Sequence, residues 1–285
     1  MKLADLHLHS NFSDGSDSIL ELLENIKKSN IKIFALTDHD TVEGCAQIAS
    51  LVSDDIKFIP SVELTCKAGS IKCHILGYNC DYNNKVLLDL IKKGKELRRV
   101  KLETRIKYLE KTWGIVLTQE ELNWLYSRKS VVKTHIANVL VKRGLAKDNL
   151  NAMQKYLDGC KAGDTRFSGE EAIEAIISSG GIPVWAHPLG GEGEEHLDKE
   201  GFLEKLEEML SFGIMGLECY YSRYNSEEIE FLISCAKEKN LLISGGSDYH
   251  GSNKNNIQIG CLCTEDLLVD LEKLTILNKI KSVCL

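Results

Sequence analysis

The sequence predicts an α/β protein in which parallel strands with helices outside them approach a barrel of TIM type, interrupted by a helical insert. Three observations carry this. Short apolar runs alternate with helical patterns over residues 1–80, the pattern is helical nearly throughout from about Asn84 to Asp158, and the alternation then resumes to the end. Strand–helix–strand alternation implies parallel strands. Six or seven of them point to a barrel, with an open doubly wound sheet as the structural alternative. The boundaries read as a barrel domain over 1–80 and 165–285 and an inserted helical subdomain over 81–164.

Leu3 to Leu8 reads as the first strand. Ser18 and Glu21 then form a capping box, and Ile19, Leu22, Leu23 and Ile26 recur at helical spacing. Ile31 to Leu36 is a second strand and Val42 to Val52 a second helix. Ile56 to Leu64 is a third strand, and Ser70 to Leu76 a fourth. In the insert, Lys92 to Lys111 carries Lys, Arg and Glu at i,i+4 spacing, which suits an exposed helix. Shorter helices follow around Thr118–Tyr126, Thr134–Arg143 and Asn149–Leu157, with Gly144 as a C-terminal stop. Ser168 with Glu171 opens the next helix, and Ile182 to Ala186 is a strand. Phe202–Leu210 is helix, Ile214–Cys219 strand, Glu227–Lys239 helix and Leu241–Ser244 strand. A last helix is expected over Asp266 to Lys281.

Composition narrows the function. Acids exceed bases by 42 to 35 in 285 residues, a net charge of −7. A protein that coats duplex nucleic acid normally carries a basic stripe, so long duplex nucleic acid is not expected as a partner. No apolar run approaches the ~20 residues of a membrane span, and no membrane partner is expected. The opening Met1–His7 reaches a polar strand end at once and does not read as a signal peptide. Ten cysteines show no C-x-x-C and no zinc-ribbon rhythm. Buried free thiols in a reducing cytoplasm are the expectation.

The chemistry lies in the histidines. His7 and His9 stand two apart at the end of the first strand, where period-two geometry puts both on one face to grip one metal. Asp14 follows in a Gly/Ser/Asp loop. His39 lies in Thr37-Asp38-His39-Asp40 after the second strand, Glu63 ends the third, and His74 belongs to the fourth. His187 follows the strand after the insert, and Asp248 and His250 follow the strand near the C-terminus. All nine stand at or near the C-terminal end of an expected strand, where barrel folds assemble active sites. Singly, each has a bland reading: an incidental H-x-H, a capped turn, an exposed acid, a loop. Together they exceed the needs of one tetrahedral zinc and read as a cluster of two or three divalent cations. Imidazole suits Zn, Fe and Ni, while the carboxylates also admit Mn and Mg.

These residues also carry a resemblance. His7-Leu8-His9-Ser10 with Asp14-Gly15, Thr37-Asp38-His39-Asp40-Thr41, Glu63, Cys73-His74-Ile75-Leu76-Gly77, Ala186-His187-Pro188 and Gly246-Ser247-Asp248-Tyr249-His250-Gly251 resemble the polymerase-and-histidinol-phosphatase (PHP) superfamily. Lys133-Thr134-His135-Ile136-Ala137, Tyr156-Leu157-Asp158-Gly159 and Glu218-Cys219-Tyr220-Tyr221 extend the likeness to its stand-alone phosphoesterase branch, which holds nucleoside 3′,5′-bisphosphate phosphatases and 5′→3′ RNA exonucleases. The resemblance implies a distorted TIM-like (β/α)7 barrel and a trinuclear centre of Mn, Fe or Zn. His7, His9, Glu63 and Asp248 would hold one metal, with Glu63 bridging to a second completed by His74 and His187. Asp14, His39 and His250 would hold the third.

The implied reaction is hydrolysis of phosphate esters of small nucleotidic substrates by a metal-activated hydroxide. The candidate substrates are a nucleoside 3′,5′-bisphosphate or a short 5′-phosphorylated oligonucleotide. Asp38 and Asp40 are candidates for orienting imidazoles; the alternative is a capped turn. Lys133 and His135, on an insert segment that faces the barrel mouth in the resembling proteins, are expected at the substrate phosphate. His135 is also a candidate proton donor to the leaving alcohol, and Arg223 a second phosphate handle. Leu189–Glu195 is acidic and glycine-rich where relatives often carry a basic residue, and it reads as a mobile loop. Rival readings are a cyclic phosphate phosphodiesterase, a histidinol-phosphate-type phosphatase, and a non-catalytic metal-binding module.

Overall fold

The computed structural model describes residues 3–69, 71–128, 131–164, 166–191, 194–254, 256–265 and 269–280. The chain forms two compact units, Met1–Leu90 with Arg166–Leu285, and Ile91–Thr165.

The first unit carries the sheet. Its strands are β1 (Leu3–Leu8), β2 (Ile31–Leu36), β3 (Lys57–Ala68), β4 (Ile71–Tyr78), β5 (Phe167–Ser168), β6 (Ile182–Ala186), β7 (Gly216–Tyr221) and β8 (Leu242–Gly246). They follow the order β1-β2-β3-β4-β6-β7-β8, and the short β5 pairs with β3. The segment after β8 returns to β1. The Asp248 amide donates to the His7 carbonyl and the His9 amide to the Tyr249 carbonyl, each at 2.9 Å, so the barrel-like sheet is nearly closed.

Helices α1 (Ile19–Lys28) and α2 (Glu43–Leu51) connect the first three strands. Helix α1 is capped by Ser18 and Glu21 and buries Ile19, Leu22, Leu23 and Ile26. These pack with Leu8, Ile31, Phe34 and Leu36 in one core cluster, which is what the 3.6-residue spacing required. Helices α7 (Gly169–Ser178), α8 (Lys199–Phe212) and α9 (Ser226–Glu238), numbered after the four helices of the insert region, serve the second half of the sheet. Phe202 of α8 stacks on Trp185 of β6 with ring centroids 5.4 Å apart. Ser168 caps α7, its hydroxyl accepting from the Glu171 amide at 3.1 Å while its own amide donates to the Glu171 carboxylate. Ser168→Ala is expected to cost about 1 kcal/mol of unfolding free energy. A urea titration should show a lower midpoint with unchanged slope.

Two expectations need correction. β4 runs antiparallel to both neighbours, β3 and β6. Only two residues separate Ala68 of β3 from Ile71 of β4, and a parallel return would need a crossover of a dozen or more. The last helix is also not one α-helix. Residues 266–268 and 281 lie outside the described residues, and the part described holds two 3₁₀ turns, Leu271–Lys273 and Thr275–Lys279. Leu274 between them leaves the helical region at ψ 77°, and the Ile243 amide of β8 donates to the Thr275 hydroxyl at 2.9 Å. Packing of Leu274, Ile276 and Ile280 into the core overrides the helical spacing.

In the insert region α3 (Lys85–Trp113) begins before the first residue of the helical unit and runs into it, followed by α4 (Gln119–Tyr126), α5 (Lys133–Lys142) and α6 (Asn149–Ala152). A π-turn continues α6 over Met153–Leu157. This unit has its own core, with Leu102, Leu109, Leu125, Ile136, Leu140 and Leu157 in one cluster. Among the described residues no helix is long and apolar enough to cross a membrane. Nine cysteines are described, all as free thiols and seven of them buried.

Candidate metal centre

The strands deliver the nine candidate residues to one rim. His7 lies in β1 and His9 just after it; the loop that follows carries Asp14. The segment after β2 runs between its neighbours: the Thr37 amide donates to the Leu8 carbonyl and the Asp40 amide to the Glu63 carbonyl, at 2.9 Å each. That places His39 opposite Glu63 of β3. His187 follows β6; Asp248 and His250 follow β8. Two residues depart from the strand-end rule: Glu63 stands mid-strand in β3, which runs on to Ala68, and His74 stands in the N-terminal half of the antiparallel β4, opposite Ala186 of β6. Asp40, His187 and Asp248 have φ of 51°, 29° and 60°. Left-handed backbone in residues other than glycine is strained and concentrates at functional sites.

Glu63 is the hub, almost fully buried. Its Oε1 lies 2.9 Å from His74 Nδ1 and 3.3 Å from His187 Nε2. Its Oε2 lies 3.3 Å from His7 Nε2, 3.2 Å from His9 Nε2 and 3.0 Å from His39 Nδ1. Asp248 Oδ1 adds contacts to His9 Nε2 at 3.4 Å and His250 Nδ1 at 3.4 Å. Asp14 faces His250 Nε2 at 3.2 Å and His39 Nε2 at 3.8 Å. All nine residues therefore belong to one contiguous network. His9, Asp14, His39 and His250 form one ligand-competent group, His7, His9 and Glu63 a second, His39, Glu63 and His74 a third, and His74 and His187 with the neighbouring Glu194 a fourth.

Outer groups aim these donors. His7 Nδ1 donates to Glu218 Oε1 at 2.9 Å, which turns Nε2 inward. The other Glu218 oxygen accepts from the His187 amide at 2.8 Å. His250 Nδ1 donates to the Asp248 carbonyl at 2.8 Å, leaving Nε2 for Asp14. The Tyr221 hydroxyl and the Lys254 ammonium both donate to Asp248 Oδ2, at 2.9 and 2.7 Å, so Oδ1 is the oxygen that faces the imidazoles. Tyr221→Phe is expected to weaken cation binding about 10-fold, as loss of a partner behind a metal ligand does. Calorimetric titration with Mn²⁺ checks this.

Burial and the opposed charges of imidazoles and carboxylates set the electrostatics of the rim. Burial alone would depress the His7 imidazole, but Glu218, Glu63 and Asp248 outweigh it and hold it well above the usual range. Burial is likewise overcome at His9, raised to about 9 by Asp248 and Glu63, and at His187, raised to about 10 by Glu194 and Glu63. His39 goes down, through burial and the neighbouring imidazoles of His9 and His74, against the pull of Glu63 and Asp14. Burial would raise the Asp14, Glu63 and Asp248 carboxyls, yet the surrounding cationic groups hold each well below the carboxylate range. Asp14 Oδ1, His39 Nδ1, Glu63 Oε2 and His187 Nδ1 are buried without an aligned hydrogen bond. Buried polar atoms left so are costly unless something else binds them. Imidazole nitrogens and carboxylate oxygens facing inward at this density fit divalent cations, which would displace the protons.

The remaining candidates have other surroundings. Asp38 accepts from the Ser10 amide at 2.8 Å, the Ser10 hydroxyl at 2.7 Å and the Ser13 hydroxyl at 2.6 Å. It thus shapes the loop that carries Asp14. Asp40 accepts from the amide and hydroxyl of Thr65, at 2.9 and 2.8 Å. Arg223 is half-buried in the turn after β7. In the helical unit, Lys133 pairs with Asp158, and His135 accepts from the Val132 amide at 3.0 Å through Nδ1. Sequence reasoning passed over Lys254, Asp5 and Glu194. Asp5 carried a usable signal, an acid inside an apolar strand; it accepts from the Ser247 and Gly260 amides, at 2.9 and 2.8 Å. Lys254 carried none.

A nearly closed α/β barrel whose rim gathers imidazoles and carboxylates around one buried glutamate defines a metal-dependent hydrolase. Residues 5–172 match the PHP domain model, and the chain belongs to that family, whose members hydrolyse phosphoric esters. It is 27% identical over 267 residues to a 3′,5′-nucleoside bisphosphate phosphatase of Chromobacterium violaceum, covering 92% of each chain. It is 28% identical over 253 residues to a 5′-3′ exoribonuclease of Haemophilus influenzae, covering 87% of this chain and 90% of the other. A solved structure of an amidohydrolase from Chromobacterium violaceum, with bound sulfate and no metal, superposes with a TM-score of 0.77. It is 26% identical and covers 90% of this chain and 89% of that one.

Proposed function

We propose that this phosphoesterase acts on small nucleotidic substrates, either a nucleoside 3′,5′-bisphosphate or a short 5′-phosphorylated oligonucleotide, with two or three divalent cations of Mn, Fe or Zn. The observation that carries the reading is the convergence of five imidazoles on the two oxygens of Glu63. A carboxylate that gives one oxygen to His74 and His187 and the other to His7, His9 and His39 suits a bridge between neighbouring cations. On this reading Asp248 completes the His7–His9 position, and Asp14 and His250 join His39 at a third. Bound cations would supply Lewis acidity, neutralising phosphoryl oxygens and acidifying water. The protein's part is to hold the donors rigid and keep their lone pairs inward, through Glu218, Tyr221, Lys254 and the Ser10–Asp38 contacts.

On this reading Arg223, Lys133 and His135 meet the substrate, with His135 as proton donor to the leaving alcohol. Its Nδ1 is engaged by the Val132 amide, so Nε2 is the nitrogen that would donate. We also place the protein in a reducing cytoplasm, to which its buried free thiols are suited.

The test is a panel assayed with the Mn²⁺-loaded chain: 3′,5′-bisphosphates, 5′-phosphorylated oligoribonucleotides, cyclic phosphates, histidinol phosphate and simple phosphomonoesters. Free phosphate from the bisphosphate, or mononucleotides from the 5′ end of the oligonucleotide, is the expected result. Turnover confined to a cyclic phosphate or histidinol phosphate would replace the substrate class. Bound metal with no turnover at all would mark a non-catalytic module.

A further inference from the structure

Glu194 stands beside His187 much as Glu218 stands beside His7. Each of these two rings turns Nε2 toward Glu63, at 3.3 Å in both cases. On the far side of the ring, His7 Nδ1 is hydrogen-bonded to Glu218 Oε1 at 2.9 Å, and His187 Nδ1 stands 3.1 Å from Glu194 Oε2 without hydrogen-bond alignment. The Glu194 side chain is only 9% exposed, although it comes from a glycine-rich acidic loop that the sequence reads as mobile. The loop is tied on itself: the Gly191 amide donates to Glu194 Oε2 at 3.0 Å, and the Glu194 amide to the Gly191 carbonyl at 3.2 Å. Lys72 Nζ lies 3.1 Å from the other carboxylate oxygen. Gly191 lets the backbone pass over the imidazole, since a Cβ there would stand 2.7 Å from His187 Nδ1.

We propose that Glu194 is a positioning residue for His187. Its carboxylate stands 3.1 Å from Nδ1, near enough to take the Nδ1 proton once the ring settles on its cation, which would fix the ring's tautomer and orientation and leave the Nε2 lone pair for the cation position bounded by Glu63 and His74. Such a partner raises the basicity of a ligating histidine, and losing it typically costs 10- to 100-fold in metal affinity. The inference rests on the reading of His187 as a metal ligand. Direct ligation by Glu194 is the rival outcome, since Glu194 also forms a ligand-competent group with His74 and His187. A glutamine at this position still offers an acceptor oxygen to Nδ1–H but is a poor substitute for an anionic ligand.

The experiment is calorimetric titration of the full chain with Zn²⁺ alone, together with metal stoichiometry after dialysis, for the parent, E194A, E194Q and G191A. The expected result is that one of the parent's cation equivalents weakens 10- to 100-fold in E194A. E194Q recovers most of that loss. G191A, which keeps Glu194 but pushes a methyl at His187 Nδ1, shows a loss at the same equivalent and serves if E194A does not fold. An E194A titration identical to the parent's would overturn the assignment while leaving the metal reading intact. So would E194Q losing as much as E194A, because the carboxylate would then act as a ligand or counter-charge. A parent chain that takes up no cation overturns the metal reading and this inference with it.

Discussion

Glu63→Gln is expected to remove at least one equivalent of bound cation and to lower turnover by a factor on the order of 100 or more, the upper end of what losing even an outer partner of a metal ligand costs. The exchange preserves volume and changes chemistry at one point. In the native chain Oε1 serves His74 and His187 while Oε2 serves His7, His9 and His39. The amide has one oxygen and no charge, so at most one of these sets keeps an acceptor, and neither keeps an anion. The loss should therefore fall on stoichiometry, read by elemental analysis after dialysis, and not on substrate KM alone. Far-UV circular dichroism should be unchanged, because the strand pairing on either side of Glu63 is made by backbone groups. Full stoichiometry in Glu63→Gln would show that this carboxylate is not what holds any of the cations.

The nine residues of that network were readable because each follows from local chemistry. A polar, metal-competent side chain directly after a continuous apolar run stands at a strand end wherever that strand lies in the sheet. β1, β2 and β6 have the bounds their apolar runs predict. The five residues that the sequence leaves between Leu64 and Ser70 were already too few for a parallel crossover, but the alternation elsewhere in the chain suggested parallel strands throughout. As a result His74 was placed at the wrong end of its strand, though at the right rim. Glu194 was not legible for a different reason. Glycine and acid in one stretch is the composition of a solvated loop, and only the tertiary placement of Gly191 against the His187 ring turns it into a wall of the site. The C-terminal 3₁₀ turns were hidden in the same way, since the partner that breaks the helix at Leu274 is β8, more than two dozen residues away.

Gly246→Ala is expected to damage both stability and the site, because the barrel's seam and its metal-binding rim share the same backbone. A Cβ at 246 would stand 2.2 Å from His7 Cβ, 2.5 Å from His7 N and 2.8 Å from His7 Cα. None of these is the tip of a flexible side chain, so the segment after β8 has to move away from β1. That movement breaks the bonds from the Asp248 amide to the His7 carbonyl and from the Ser247 amide to Asp5, both 2.9 Å in the native chain. Overpacking of this kind costs about 1–3 kcal/mol, and the two lost hydrogen bonds about 1 kcal/mol each. It also separates His7 and His9 on one side of the seam from Asp248 and His250 on the other, so cation affinity should fall with stability. Gly144→Ala is the contrast. That position has φ of +71° and no atom within 4 Å of an added Cβ. It should cost about 1 kcal/mol for the left-handed backbone alone and leave the metal content untouched. Parallel urea titrations and elemental analysis distinguish the two: a Gly246→Ala chain with the parent's midpoint and full metal would mean that closure of β8 on β1 is not what assembles the site.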